Sequence, residues 1–256
     1  MNQRKTHGGA VAILGATGGL GRATALRIAK RSPVLLGYHA AEKKAAALVQ
    51  EIQAEGGRAR ALQVDLTDES SIQHFLEQAS TRDEGLSAIV TATGPALPLG
   101  NVADISEADF RRTYETDVFG LFRVLKHGAA ALKIGGGGAI VLTATTAALR
   151  VLEGDGMSAG PKGAAVLLMK QMAREMGAFN VRINAVGPGI IDAGAVHDVT
   201  EISQIGREVV GRCLERTPLG RMGRPEEFAA LVDFLASTDA SYITGQLIAI
   251  DGGYSL

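Results

Sequence analysis

Ser158 and Lys162 stand four positions apart in MSAGPKGAA, residues 157–165. Four positions is one helical turn, so the two side chains share a face. A lysine in the first turn of a helix opposes the helix dipole unless an anion or a ligand offsets it, which favours a functional role for Lys162. Ser158 reads equally well as an N-cap, because Pro161 suits only the first turn of a helix. A second stretch, LGATGGLGRATAL, puts Gly15, Gly19 and Gly21 after an apolar run and at the start of a helical pattern. Glycines there let the backbone turn tightly and approach a pyrophosphate, which then rests on the helix N-terminus. Because this turn follows a strand pattern and opens a long β-α series, it points to dinucleotide binding.

The elements that must position these residues are legible as seven short apolar runs at 10–14, 34–37, 59–64, 86–92, 138–144, 181–186 and 246–250, alternating with longer helical patterns. The runs are nearly continuous in apolar residues, as in strands buried on both faces. Regular β-α-β alternation predicts right-handed crossovers and an α/β, Rossmann-like, doubly wound domain with a seven-stranded parallel sheet flanked by helices, spanning 1–256. Residues 189–217 form the one long connection that breaks the rhythm. Within it, 190–216 reads as a substrate lid over the C-terminal ends of the strands.

The 256 residues are 46% hydrophobic and 21% charged, ordinary values for a soluble domain, with a net charge of -1. No basic stripe or acidic tail argues for nucleic acid or anionic lipid as a partner. Cys213 is the sole cysteine, so no intrachain disulfide forms and a reducing, cytoplasmic compartment fits. The uncharged stretch 134–149 is Gly-rich and too short to span a membrane. Near the end of the second strand an acid would accept hydrogen bonds from an NAD ribose. LLGYHAAEKK carries none before Glu42. A 2′-phosphate would not be repelled, and His39, Lys43 or Lys44 could meet it, so NADP(H) is expected over NAD(H).

The spacing Gly-x-x-x-Gly-x-Gly resembles that of the short-chain dehydrogenase/reductase family. VDLTD at 64–68 looks like the family's adenine-contacting turn, NAVGPGII at 184–191 like the segment that passes the nicotinamide, and 218–254 like its C-terminal signature. The resemblance implies cofactor contacts from Gly15, Thr17, Gly19, Leu20 and Gly21, from His39, from Asp65 and Leu66, from Ala92, Thr93 and Gly94, from Lys162, and from Pro188, Gly189 and Ile191. It also implies a catalytic set of Ser, Tyr, Lys and Asn. Aligned on MSAGPKGAA, the tyrosine position is Ser158 and the lysine is Lys162. The serine position, thirteen residues upstream, is Thr145, and the asparagine position is Asp117. TATG at 91–94 stands for the family's NNAG, and Ala193 for a common threonine.

The missing group is a phenol. Tyrosine starts near pKa 10 and can be tuned towards neutrality, whereas an aliphatic hydroxyl is a far weaker acid. Positioned general acid catalysis is worth about 10²–10⁴-fold, and the usual source of it is gone. A branch of the family, the 2,4-dienoyl-CoA reductases, is similar in carrying Ser-x-x-x-Lys. Its donor tyrosine corresponds to Ala147 here. The expectation is an NADP(H)-dependent reductase of a small molecule with an activated C=C or C=N bond, or a carbonyl. The alternatives are a non-redox cyclase, isomerase or dehydratase and a redox-silent cofactor-binding subunit. Tyr114, Asp155 and His197 are further proton donors in reach of the cleft, with Tyr114 read as core or interface and the other two as surface. By analogy with the family, the chain is expected to assemble as a homotetramer or homodimer through helices near 104–133 and 158–178.

Overall fold

The computed structural model describes residues 9–81, 85–94, 99–202 and 204–256. Its seven strands are β1 Ala10–Leu14, β2 Val34–Tyr38, β3 Ala59–Gln63, β4 Leu86–Thr91, β5 Gly138–Thr143, β6 Val181–Pro188 and β7 Leu247–Ile250. They form one sheet, ordered β3-β2-β1-β4-β5-β6-β7, and every pairing is parallel. All seven coincide with the apolar runs of the sequence. Burial on both faces explains their composition: within β2, Leu35 enters one apolar layer while Val34 and Leu36 enter the other.

One layer is closed by α3 Glu69–Ser80, α5 Leu121–Ile134 and α6 Gly156–Met176, with Phe75, Leu125, Leu132 and Met169 at its centre. The opposite layer is closed by α1 Gly19–Ile28, α2 Glu42–Ala54 and α9 Pro225–Ala236, through Ile28, Ile52 and Phe228. Helix starts follow local chemistry. The Asp68 carboxylate accepts from the Ser70 backbone N–H and caps α3, while Pro225 opens α9 and the Glu227 carboxylate accepts from the Arg224 N–H at 2.8 Å.

The chain builds outward from β1 to β3, then crosses back to place β4 on the other side of β1. A crevice opens beyond the strand ends at that reversal, where ligands of such sheets bind. The long connection folds as two short helices, α7 Ala195–Ile202 and α8 Gln204–Glu215. Two local expectations are corrected. The helix expected over 104–133 is α4 Glu107–Tyr114 and then a π-helical turn, Glu115–Gly120, before α5. Each π turn takes in an extra residue, and this one carries Asp117 into the interior. Helix α6 begins at Gly156 with Asp155 as its N-cap residue, so Ser158 sits inside the first turn and is not the cap, and Pro161 lies within the helix.

Candidate active site

The glycine turn joins β1 to α1 at the crevice. Gly15 has φ +80, and a Cβ on it would lie 2.6 Å from the Ala92 carbonyl oxygen and 2.8 Å from Thr93 Cγ2. A Cβ on Gly21 would lie 2.1 Å from the Gly15 oxygen. These contacts press Gly15 against Ala92 and Thr93 at the end of β4 and close Gly21 onto Gly15. Helix α1 has Gly18 as its N-cap residue, with no side-chain cap bond and no acidic residue in its first turn. Its positive dipole end is therefore free of competing anions, and the site fits a pyrophosphate.

The segment after β6 closes on the same turn. A Cβ on Gly19 would meet that of Ala193 at 2.7 Å, and Gly189 fits against Asp251. Pro188 ends β6, and buried Ile191 bridges to Gly223. The C-terminal turn is tied to the β5 end by the Thr146 hydroxyl donating to Asp251 Oδ2 at 2.6 Å. In the turn after β3, Asp65 Oδ1 accepts from the Thr67 backbone N–H and hydroxyl, each at 2.8 Å. The backbone bond is the chief reason the Asp65 carboxyl is held below the usual carboxylate range. His39 stays largely exposed, with Nε2 3.7 Å from Asp65 Oδ2. Leu66 packs partly buried beside the core.

Lys162 and Asp117 form a buried ion pair. Lys162 Nζ donates to Asp117 Oδ2 at 2.9 Å, with the residues 7% and 1% exposed. The π turn makes this possible by bringing Asp117 under α6, where the ammonium meets a full negative charge. The same Nζ lies 3.7 Å from where a Cβ on Gly94 would sit, so the pair borders the crevice. Ser158, one turn earlier on α6, is buried as well. Thr145 is buried at the end of β5, its Oγ1 accepting from the Ala147 N–H at 3.1 Å, which leaves its proton free to donate. The structure thus brings Thr145, Ser158, Lys162 and Asp117 to one end of the sheet.

Three further candidates differ in placement. Tyr114 packs tilted on Phe110 with ring centroids 4.3 Å apart, and its hydroxyl lies 3.6 Å from where a Cβ on Gly160 of α6 would sit. His197 is exposed and pairs with Asp192 at 2.7 Å, away from the ion pair. Asp155, expected at the surface, is instead partly buried at the foot of α6. Burial raises its carboxyl to about 7, against the opposing pull of the Lys162 charge and a hydrogen bond from the Ser158 side chain. The spacing carried this signal: three residues ahead of Ser158 is the same helical face. An apolar cluster of Val209, Cys213 and Tyr254, with Leu99, Leu152 and Ile190 around it, joins α8 and the C-terminal turn to the loop that carries Asp155. Burial first, then the Asp155 charge, pushes the Cys213 thiol up.

A family model described as enoyl-(acyl carrier protein) reductase matches residues 15–255. The cis-4-hydroxycyclohexanecarboxylate dehydrogenase of Sinomonas cyclohexanicum is 32% identical over 95% of this chain and 95% of its own length. The 7alpha-hydroxysteroid dehydrogenase of Escherichia coli K12 is 31% identical over 94% and 92%. Among solved structures, a short-chain type dehydrogenase/reductase from Mycobacterium ulcerans superposes with TM-score 0.90 at 30% identity, covering 98% of this chain and 90% of the other. A 7alpha-hydroxysteroid dehydrogenase complexed with NADH and 7-oxo glycochenodeoxycholic acid gives TM-score 0.87 at 32% identity, covering 96% and 94%. With the parallel sheet, the glycine turn and matches that run almost end to end, the chain belongs to the short-chain dehydrogenase/reductase family of oxidoreductases.

Proposed function

We propose that the protein is an NADP(H)-dependent oxidoreductase that reduces an activated C=C or C=N bond, or a carbonyl, of a small molecule without the family's phenolic acid. The observation that carries this reading is the pairing of Lys162 with Asp117 beside a serine where the family has its tyrosine. The lysine that would otherwise lower a phenol's pKa is tied to Asp117, and the position the family gives to that phenol is Ser158. Conjugated C=C and C=N bonds place less demand on a strong positioned acid than a simple ketone does. The description of the matching family model, which names an enoyl reductase, supports the same bond class.

The bound reduced nucleotide would supply the hydride. The chain supplies the rest. Gly15, Gly19 and Gly21 with the α1 N-terminus hold the pyrophosphate. Lys162 Nζ, fixed by Asp117, holds the ribose next to Gly94. Thr145 donates its free hydroxyl proton to the substrate's polar atom, and Ser158 stands in the same buried corner. Helices α7 and α8, within the lid of 190–216, cover the substrate and keep water out. The NADP(H) preference rests on the segment Tyr38-His39-Ala40-Ala41 at and just after the end of β2 carrying no carboxylate, with His39 exposed. A homotetramer or homodimer is supported by apolar side chains left exposed on two helices, Phe119 and Phe122 before and on α5, Leu167 and Leu168 on α6. Among the described residues no helix is long and apolar enough to cross a membrane, and a cytoplasmic setting agrees with the single buried thiol.

The test is a fluorescence titration with NADPH and NADH, followed by absorbance assays against ketones, enones and cyclic imines. Tighter NADPH binding with turnover on enones or imines is expected. Substrate conversion with no nucleotide oxidation would favour the non-redox alternative, and binding with no conversion the silent subunit.

A further inference from the structure

We propose that Arg123 is a positioning residue that fixes the two halves of the nucleotide site against each other, so that one extended dinucleotide meets both at once. This assignment rests on the nucleotide reading above. A dinucleotide crosses the crevice of a doubly wound sheet, with its adenosine ribose at the end of β2 and its nicotinamide beyond the point where the strand order reverses. The turn after β3 borders the adenosine half, because the chain leaving β3 stays beside the chain leaving β2. The Val64 N–H donates to the Tyr38 carbonyl at 2.8 Å, and Gln63 Nε2 to the His39 carbonyl at 2.8 Å. His39 Nε2 then lies 3.7 Å from Asp65 Oδ2. The π turn borders the other half, since it carries Asp117 to Lys162, beside Gly94 and the end of β4.

Arg123, in the first turn of α5, joins the two halves through one nitrogen. Its Nη1 donates to the Leu66 carbonyl at 3.0 Å, in the turn after β3, and to Glu115 Oε1 at 2.8 Å, at the start of the π turn. The last residue of the π turn, Gly120, is pressed on the same leucine. A Cβ on Gly120 would lie 2.9 Å from Leu66 Cβ and 3.2 Å from the Leu66 carbonyl oxygen. Both ends of the π turn are thus held at Leu66, one by charge-assisted hydrogen bonds and one by close packing.

Each partner is tied within itself. The turn after β3 is closed by Asp65 Oδ1 on Thr67, and the Asp65 N–H donates to the Ser71 hydroxyl at 3.0 Å. The π turn is fastened to α6 by the buried pair of Asp117 and Lys162. Two internally tied units joined by a bridge move as one. The Arg123 side chain is 21% exposed, so water and salt screen the bridge only in part. Without the bridge, ordering one unit against the other falls to the ligand, and it costs affinity only for a ligand that touches both.

Titration of the full chain with three probes tests the assignment: NADPH, adenosine 2′,5′-bisphosphate and reduced nicotinamide mononucleotide. The readout is the product of the two fragment Kd values divided by the Kd of NADPH. Damage confined to either half cancels in that quotient, whereas lost alignment lowers it. Arg123→Met should lower it about tenfold, with each fragment's own Kd within about threefold of wild type. Arg123→Lys keeps a cation near both acceptors and should recover part of the loss. The fold should survive, because Glu69 still ties α3 to α5 through Lys126 at 2.8 Å and His127 at 2.6 Å. Should Arg123→Met unfold, Glu115→Gln at its exposed position decides, with an expected drop of about threefold. An unchanged quotient in the variants overturns the assignment, as does a loss carried wholly by one fragment. A wild type that binds none of the three probes overturns the nucleotide reading and the assignment together.

Discussion

Removing the Asp155 charge should make the protein more stable at pH 8. The folded chain raises this carboxyl from 3.8 to about 7, chiefly by burial. Across that window the folded state binds the proton more tightly than the unfolded state. Stability therefore falls as pH rises from about 4 to about 7 and is flat in this component above that. Roughly three pKa units at about 1.4 kcal/mol each give about 4 kcal/mol. Because the side chain keeps some contact with water, about 2–4 kcal/mol is the working range. Asn has nearly the shape of the neutral acid and never ionises. Asp155→Asn and wild type should thus unfold alike near pH 4.5, and the variant should gain steadily to pH 7.5. At about 2–4 °C per kcal/mol for a chain of this size, the gap in Tm should reach roughly 5–15 °C. Urea or thermal unfolding of both proteins across pH 4.5–8.5 measures it, and their difference cancels the other titrating groups. Parallel curves would refute the reasoning, since Asp155 would then carry its charge at no cost.

Other consequences follow from the same geometry. Lys162→Met leaves the Asp117 carboxylate buried without its partner and should cost about 3–5 kcal/mol in urea unfolding, much of it recovered in Lys162→Met with Asp117→Asn. A single variant costing under about 1 kcal/mol would contradict the buried pair. Gly21→Ala pushes a methyl to 2.1 Å from the Gly15 oxygen. It should lose about 1–3 kcal/mol of stability and, in fluorescence titration, at least about tenfold of nucleotide affinity. Ser158→Tyr with Asp117→Asn should gain turnover on simple ketones that Ser158→Tyr alone lacks, because Asp117 otherwise neutralises the lysine a phenol needs. Equal gains in the two variants would count against that role for Asp117.

The sequence by itself determined the fold and the place of the glycine turn. Strands buried on both faces must be apolar throughout, so each of the seven showed as a run such as AVAIL, and LGATGGLG could lie only where β1 meets α1. Lys162 and Ser158 were legible for a similar reason, because a spacing of four within one helix is local geometry. What lay beyond local spacing was left to the tertiary structure. The meeting of Lys162 with Asp117, forty-five residues earlier, depends on a π turn that no periodicity announces. The helix start decided that Ser158 is not a cap, since backbone bonds at 154–159 and the bridge to Gly100 set it. Asp155 illustrates the division most clearly. Its type and position in the sequence suit a surface loop, and its chemistry is decided by an apolar cluster assembled from α8 and the C-terminal turn. Desolvation is a property of the surroundings, and those surroundings come together only when distant segments fold over the carboxyl.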